Sequence, residues 1–394
     1  MEKHKLSSIS KEELKAEAEK LCKLNELEYS EDLKIILATS ETLKLRKETD
    51  IRFSEPILKQ NSNAVFFPHT INVIQGQAGV HKSRLVENIC SALLKLPYNN
   101  NELLGFIRTN YDANYTVVYV DTERNLSEQF PYAIQSILVN AGYDKKDNPP
   151  NFKYISLLQI NRKDRFKALE SYLKYIKNVI NNPLFIVLDV STDCIEDFNR
   201  TDKSMELIDL MNMAINEYNV IFLCLIHENP GSEKARGHFG TELMNKASTV
   251  MQIGFEKDAN HNNTEIIKVK YIKCRSTMRH LPFFVKYSAE KKGLVLADVT
   301  EINNAINSRK HKATDDEISE LIILYLGDGS ELSRREFIGK LCSELNTKER
   351  TIETRLKEII DSEFEFLNEN SEKFKLNKEL KNKEIIYKLI PCII

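Results

Sequence analysis

Short apolar runs alternate with amphipathic stretches between residues 70 and 290. The runs are rich in β-branched side chains and read INVIQ (71–75), TVVYV (116–120), YISLLQI (154–160), LFIVLDV (184–190), VIFLCLI (220–226) and TVMQI (249–253). Continuous apolar runs of this length are typical of strands buried on both faces, and helices between such strands are typical of a parallel sheet. The pattern predicts an α/β fold over residues 61–300, with a mostly parallel sheet and helices on both faces.

Residues 1–60 carry a different pattern, a charged amphipathic helix followed by a polar connector. Ser10 and Glu13 have the spacing of a capping box, and the apolar stripe behind them consists of Leu14, Ala18, Leu21 and Leu24. We therefore predict a helical N-terminal segment. It either packs on the next domain or contacts another subunit, and the sequence does not separate these two roles.

Residues 312–394 follow a charged boundary and have the period of helices. Capping-box spacings open three predicted helices: Thr314 with Glu317, Ser333 with Glu336, and Asn346 with Glu349. The stretch FEFLNENSEKFKLN then reads as two extended segments around a turn. Three short helices closed by a β-hairpin predict a winged-helix domain over residues 312–394.

Length and charge restrict the class of protein, because 394 residues exceed the size of a single hydrophobic core and predict two or three domains. The net charge of −2 argues against a histone-like protein and limits any nucleic-acid contact to local clusters. The apolar runs are far shorter than the ~20 residues that a bilayer requires, and the N-terminus lacks an apolar signal core. We therefore expect a cytoplasmic protein without membrane contact.

The seven cysteines form no C-x-x-C pair, so we predict neither a zinc site nor disulfide bonds.

The stretch GQAGVHKS (76–83) nearly matches the phosphate-binding pattern G-x-x-x-x-G-K-[ST]. A predicted strand precedes it and a predicted helix follows it, as a P-loop requires. Lys82 would reach the β- and γ-phosphates, and the Ser83 hydroxyl would bind Mg²⁺. The sequence thus predicts ATP and Mg²⁺ as cofactors, bound by Gly76, Gln77, Ala78, Gly79, Val80, His81, Lys82, Ser83 and Arg84.

His81 stands where the pattern has its second glycine. One interpretation is that the backbone is helical enough here to accept a side chain without effect. The other is that the imidazole changes hydrolysis or senses the phosphates. The sequence leaves both interpretations open.

Two predicted strands end in carboxylates that fit nucleotide hydrolysis. Asp189 ends LFIVLDV, where a Walker B aspartate would hold a magnesium-bound water, although a strand-ending aspartate that only begins a turn is also common. Asp121 and Glu123 end TVVYVDTE, and Glu123 is our candidate for the base that deprotonates the attacking water.

These pieces together resemble the RecA/RadA recombinases and the DnaB-type hexameric helicases. VYVDTE is similar to the strand that carries their catalytic glutamate, and LFIVLDV resembles their Walker B strand. LCLIHENPGSEKARGHFGTELMNKASTVMQI resembles the next stretch of the DnaB and RepA-like helicases. The resemblance covers residues 65–290 and is closest to RepA-like ATPases of bacterial plasmids and mobilizable elements. His81 departs from the family pattern, and residues 1–60 match no primase-recruiting domain.

The resemblance implies roles for further residues. His227 takes the place of the phosphate sensor, and Lys234 with Arg236 lies in the loop that would face nucleic acid. IIKVKYIKCRS is similar to the strand with which one helicase subunit touches its neighbour's γ-phosphate, so Lys273 and Arg275 would complete the site of the next protomer. The alternative is an edge strand made soluble by its lysines.

The third helix of the predicted winged helix would enter the major groove of duplex DNA. Its candidate DNA-binding residues are Lys348, Arg350, Arg355 and Lys357. Three glutamates on the same helix dilute this charge, so a protein-contact domain is an equal alternative.

The sequence therefore predicts an ATP-driven motor that forms a ring and acts on single-stranded DNA. The resemblance implies that the ring is hexameric. Duplex DNA is predicted as a further partner of the winged helix. The alternative is an ATP-gated DNA-binding regulator or accessory protein of a mobile element or defence system that does not unwind DNA.

Overall fold

The computed structural model describes residues 30–257, 262–307, 313, 315–367, 372–381 and 383–392. The helix predicted from Ser10 and the cap predicted at Thr314 lie outside the described residues. Contacts divide the chain into two compact units. The core unit comprises residues 1–255 with 265–297, and the C-terminal unit comprises residues 256–264 with 298–394. The domain boundaries at residues 60, 300 and 312 remain predictions.

The described residues before position 300 form twelve strands. They are β1 Leu58–Gln60, β2 Asn63–Phe66, β3 Ile71–Gly76, β4 Phe106–Arg108, β5 Thr116–Asp121, β6 Phe152–Ser156, β7 Leu184–Asp189, β8 Val220–His227, β9 Thr249–Lys257, β10 Asn263–Cys274, β11 Phe283–Ser288 and β12 Gly293–Leu296. Nine of them form one sheet in the order β12-β11-β10-β9-β3-β8-β7-β5-β6. The pairs from β9 to β6 are parallel, whereas β10, β11 and β12 pair antiparallel. The prediction of a mostly parallel α/β sheet is confirmed.

Helices lie on both faces of this sheet. One face carries α2 Lys82–Leu94 and α3 Gln129–Ala141, and the other carries α4 Arg162–Val179, α5 Thr201–Tyr218 and α6 Gly237–Lys246. Two further helices are α1 Glu31–Arg46 and α7 Val299–Asn307, the latter in the C-terminal unit. In β7, Phe185 and Val187 join the hydrophobic cluster that includes α2 and α3, while Ile186 and Leu188 join the cluster that includes α4, α5 and α6. Successive side chains of a strand point to opposite faces, which is why these strands are apolar throughout.

One predicted strand is displaced along the sequence. The run 154–160 predicted a strand, but β6 ends at Ser156. Leu157 remains buried after the chain has left the sheet. The apolar pattern therefore continues beyond the strand, and periodicity alone placed its end too late.

Besides α7, the described part of the C-terminal unit contains three helices and a small antiparallel sheet. Its elements are α8 Asp315–Leu326, β13 Leu332–Ser333, α9 Arg334–Glu344, α10 Glu349–Asp361, β14 Glu365–Leu367, β15 Lys373–Lys381 and β16 Glu384–Pro391. The sheet order is β13-β16-β15-β14. The unit has its own hydrophobic cluster, to which Phe337, Ile352 and Phe366 contribute.

Of the predicted caps in this unit, the one at Ser333 is present and the one at Asn346 is not. Ser333 Oγ accepts the backbone N–H of Glu336, whose carboxylate in turn accepts the N–H of Ser333. The N-cap of α10 is Lys348 instead of Asn346. Asn346 has a φ of 43° and lies in the turn before that cap.

In the described part of the chain, no helix combines the length and the apolar character needed to cross a membrane.

Candidate functional site

The segment between β3 and α2 forms a tight turn at the carboxyl edge of the sheet. Gly76 ends β3, and a Cβ atom at this position would lie 2.4 Å from the carbonyl oxygen of Ile253. Gly79 has a φ of 79°, in the left-handed region that glycine adopts without strain. α2 begins at Lys82, so its first N–H groups, which have no partner within a helix, face this turn.

His81 adopts the backbone conformation that the missing glycine would supply. Its φ of 65° and ψ of 29° are left-handed, so the interpretation that the backbone is helical here is wrong. Its ring stacks on Tyr287 of β11 at 5.1 Å between centroids and meets Phe255 of β9 edge-on at 6.1 Å. Burial, and secondarily the nearby Arg84, lower the pKa of His81, so the ring is neutral at pH 7. Aromatic contacts thus offset the strain that a non-glycine residue introduces.

A glycine at position 81 is expected to preserve the fold. His81→Gly removes about 1–2 kcal/mol of left-handed strain and loses about 0.5–1.5 kcal/mol of ring stacking, so the free energy of unfolding should change by less than about 1 kcal/mol. His81→Ala keeps the strain and loses the stacking, and should be less stable than His81→Gly. Denaturant unfolding of both variants measures the difference, and equal stabilities would contradict this account.

Lys82 is buried inside the turn, with only 7% of its surface exposed. Its ammonium donates to the carbonyl oxygens of Gly76 at 2.9 Å and Gln77 at 2.8 Å. Burial lowers its pKa, and the neighbouring carboxylates of Asp189 and Glu123 oppose this shift. The carboxylates at this edge of the sheet therefore help to keep the ammonium charged.

His227 connects Lys82 with the candidate base. It ends β8, directly opposite Gly76 in the sheet register, and its Nδ1 lies 3.2 Å from Lys82 Nζ. An ammonium group only donates, so Nδ1 accepts and the proton of the neutral ring resides on Nε2. Nε2 lies 3.5 Å from Glu123 Oε1.

Glu123 is positioned to accept a proton. The contact with His227 lowers the pKa of its carboxyl below that of an ordinary glutamate, and burial opposes the shift. Half of its side-chain surface is exposed. The structure thus combines an ionised, accessible carboxylate with the buried ammonium of Lys82 through one imidazole.

Asp189 ends β7 and lies opposite Asp121 in the register of β5. Its Oδ2 accepts from the hydroxyl of Tyr119 at 2.7 Å and from Nη2 of Arg124 at 3.2 Å. Ser83, the second predicted metal ligand, lines an open cavity of about 420 Å³ together with Arg84, Glu87, Arg124, Glu128, Gln129 and Tyr132.

The loop after β8 carries two of the predicted DNA-binding residues. Lys234 and Arg236 are exposed, and the Arg236 guanidinium lies 5.1 Å from the ring centre of Phe198. The side chain of Gln77 donates to two carbonyl oxygens of this loop, Asn229 at 2.8 Å and Ser232 at 2.9 Å. The loop is therefore tied to the turn between β3 and α2 by Gln77, whose own carbonyl oxygen accepts from Lys82.

Lys273 and Arg275 lie together at the carboxyl end of α6. Lys273 Nζ donates to the carbonyl oxygens of Met244 and Asn245, both at 2.9 Å, and Arg275 Nη2 donates to Asn245 O at 3.0 Å. Cations at this end of a helix are stabilised by its dipole. Among the described residues, their contacts are with α6 and not with Lys82, His227 or Glu123.

The basic residues of the C-terminal unit share the surface of α10. Lys348, Arg350 and Lys357 are exposed, and Arg355 is half-buried. The glutamates that dilute their charge are themselves paired: Glu349 and Glu353 with Arg334 of α9, and Glu358 with Arg355.

The sequence did not indicate the charged residues that surround Asp189. Arg124 contacts Asp189, Asp121 and Glu87, and Glu87 also accepts from Arg84. The signal for Glu87 was present in the sequence, because a glutamate inside the apolar helix LVENICSALL requires a buried partner. Nothing in the sequence showed that the buried partner of Glu87 is Arg124, the residue directly after Glu123.

Comparison with protein families and with curated proteins finds no match. Among solved structures, the chain is similar to the crystal structure of the RadB recombinase, with 13% identity and a TM-score of 0.41 over 59% of this chain and 92% of that one. It is also similar to the flagellar accessory protein FlaH from Methanocaldococcus jannaschii, with 15% identity and a TM-score of 0.42 over 61% of this chain and 94% of that one.

Proposed function

We propose that the chain is a RecA-type P-loop ATPase that binds ATP with Mg²⁺ in segment 76–84. The observation that carries this proposal is the turn itself, in which Gly79 and His81 have left-handed backbones and lead from β3 to the first N–H groups of α2. Consecutive free N–H groups before a helix form a concavity that binds anions. The ammonium of Lys82 in the same turn adds the charge that a triphosphate requires.

Hydrolysis follows from the groups around this turn. Glu123 accepts the proton of the attacking water, because its carboxyl is ionised and half exposed. His227 orients Glu123 through Nε2, and its Nδ1 faces the ammonium of Lys82. The hydroxyl of Ser83 and the carboxylate of Asp189 would hold Mg²⁺, which prefers hard oxygen ligands, and the metal would supply charge that neutralises the phosphates.

The nucleoside fits the cavity beside Ser83. Its lining includes the guanidinium of Arg84, which lies 5.3 Å from the ring centre of Tyr132, and the amide of Gln129. A flat cation and an aromatic ring offer stacking surfaces to a base, and the amide offers hydrogen bonds.

The finer proposal is a ring-forming motor on single-stranded DNA. Its support is the loop with Lys234 and Arg236, which is exposed and held by Gln77 of the phosphate-binding turn. Such a loop changes position when the turn closes on a nucleotide. In the ring, Lys273 and Arg275 leave α6 and stabilise the charge on the phosphate of a neighbouring protomer.

A regulator that binds duplex DNA without unwinding it is the second candidate. Its support is the C-terminal unit, whose three helices and antiparallel sheet fit a winged helix. On α10 the glutamates are paired with Arg334 and Arg355, which leaves Arg350 and Lys357 exposed for phosphate contacts.

Single-stranded DNA is expected to stimulate ATP hydrolysis by the purified full-length chain, and a forked duplex is expected to be unwound. Hydrolysis is measured without DNA, with single-stranded DNA and with duplex of the same sequence. Particle mass in solution is measured with and without ATP and Mg²⁺, and the proposal requires a larger assembly with nucleotide.

The outcomes separate the candidates. Duplex binding without unwinding supports the regulator and rejects the motor. A monomer without affinity for ATP and Mg²⁺ rejects both.

A further inference from the structure

The guanidinium of Arg124 donates to carboxylates from three elements at once. Nε lies 2.6 Å from Asp121 Oδ2 at the end of β5, Nη1 lies 3.0 Å from Glu87 Oε1 of α2, and Nη2 lies 3.2 Å from Asp189 Oδ2 at the end of β7. We call these four residues the Arg124 cluster.

The Arg124 cluster is almost excluded from solvent. The side chain of Arg124 is 16% exposed, and those of Asp121, Glu87 and Asp189 are 1%, 3% and 5% exposed. Buried carboxylates are stable as anions only when cations or hydrogen-bond donors compensate them. The guanidinium of Arg124 is the cation that all three carboxylates share, and Arg84 adds a second cation for Glu87.

One consequence concerns the orientation of Asp189. Its Oδ2 is held between Arg124 and the hydroxyl of Tyr119, and the guanidinium itself lies 5.0 Å from the ring centre of Tyr119. Both contacts fix the carboxylate plane. Oδ1 is the oxygen that remains for a magnesium-bound water.

A second consequence concerns the turn that carries Glu123. Asp121 Oδ1 accepts the backbone N–H groups of Glu123 at 3.2 Å and of Arg124 at 2.8 Å. Its other oxygen is held by the Arg124 side chain. The guanidinium therefore acts at two places. It positions the turn that carries Glu123 through Asp121, and it orients the carboxylate of Asp189 directly.

We propose that Arg124 is a positioning residue for the magnesium–nucleotide complex, acting through Asp189 and Asp121. The proposal rests on the proposed ATPase function. It requires a forked guanidinium, because the single ammonium of a lysine cannot bond three carboxylates in this geometry.

The experiment compares the wild-type chain with Arg124→Gln, Arg124→Lys and Arg165→Gln. Arg165 is the matched control, a comparably buried arginine that donates to the carbonyl oxygens of Ile160 and Asp193 in another part of the core unit. The dissociation constant of a fluorescent ATP analogue is measured with Mg²⁺ and with EDTA. The values of kcat and KM, and the midpoint of thermal unfolding, are measured for the same samples.

Arg124→Gln is expected to reduce the affinity gained from Mg²⁺, and kcat, by about 10- to 100-fold each. The dissociation constant in EDTA should change by less than about threefold, because the phosphate-binding turn is intact, whereas KM, which is measured with Mg²⁺, should rise with the loss of magnesium-dependent affinity. Arg124→Lys should be intermediate, and Arg165→Gln should lose stability while keeping the wild-type response to Mg²⁺.

The proposal is overturned if the Arg124→Gln chain folds and Mg²⁺ increases its ATP affinity as much as that of the wild-type chain. If Arg124→Gln does not fold, Arg124→Lys decides: a reduced gain supports the positioning role and an unchanged gain overturns it. Failure of the proposed function is distinguishable, because the wild-type chain would then bind no ATP analogue under either condition.

Discussion

Replacing Lys82 with alanine is expected to abolish measurable ATP hydrolysis and to weaken ATP binding. The ammonium is held inside the phosphate-binding turn by the carbonyl oxygens of Gly76 and Gln77, so it is already placed where the phosphates would bind. Loss of hydrogen bonds to a charged group costs about 1.5–3 kcal/mol, which corresponds to roughly 10- to 150-fold in affinity. Loss of the charge that stabilises the transferring phosphoryl group costs a further factor on the order of 10² to 10³ in kcat.

The measurement is ATP affinity by titration together with steady-state hydrolysis. Lys95→Ala is the control, because Lys95 directly follows the other end of α2 and donates to Asn101 O. It should keep wild-type affinity. Wild-type binding by Lys82→Ala would show that GQAGVHKS does not hold the triphosphate.

Glu123→Gln is expected to lower kcat by on the order of 10² to 10⁴ and to leave KM nearly unchanged. Glutamine keeps the size and can still accept a hydrogen bond from His227, but it cannot take a proton from water. The side chain is half exposed, so the free energy of unfolding should be little affected. Single-turnover hydrolysis separates this loss from any change in binding.

The pH dependence has a definite sign. The contact with His227 lowers the pKa of Glu123, so the carboxylate form is present above that pKa and is lost as the pH falls through it. Removing the contact in His227→Ala should shift the acidic limb of the kcat profile to higher pH. An unchanged limb would show that Glu123 is not the titrating base.

Mixing Glu123→Gln with Arg275→Ala protein extends the same test to the assembly. Activity above that of either variant alone is expected if the base and the arginine act in different protomers. Arg275 contacts Asn245 O within its own chain. If the mixture recovers no activity, the result would favour the view that Arg275 only caps α6 of its own chain.

The sequence indicated the core of the fold because the relevant information is local. The central strands β3, β5, β7 and β8 are buried on both faces, so a continuous apolar run marks each of them without knowledge of its neighbours. The turn from Gly76 to Ser83 is also local, since a strand, a glycine-rich turn and a helix follow each other directly. For the same reason Asp189 and Glu123 were recognisable as residues at strand ends.

The tertiary structure decided the contacts between segments that are distant in sequence. The contact of His81 with Tyr287, the contact of Lys273 with the end of α6 and the clustering of Arg124 with Glu87 and Asp189 all depend on which strands are neighbours. Hydrophobic periodicity specifies that a segment is buried but not what it is buried against. The polar partners within the core were therefore set by strand order and packing, because a buried charge is stable only where the completed fold supplies its counter-charge.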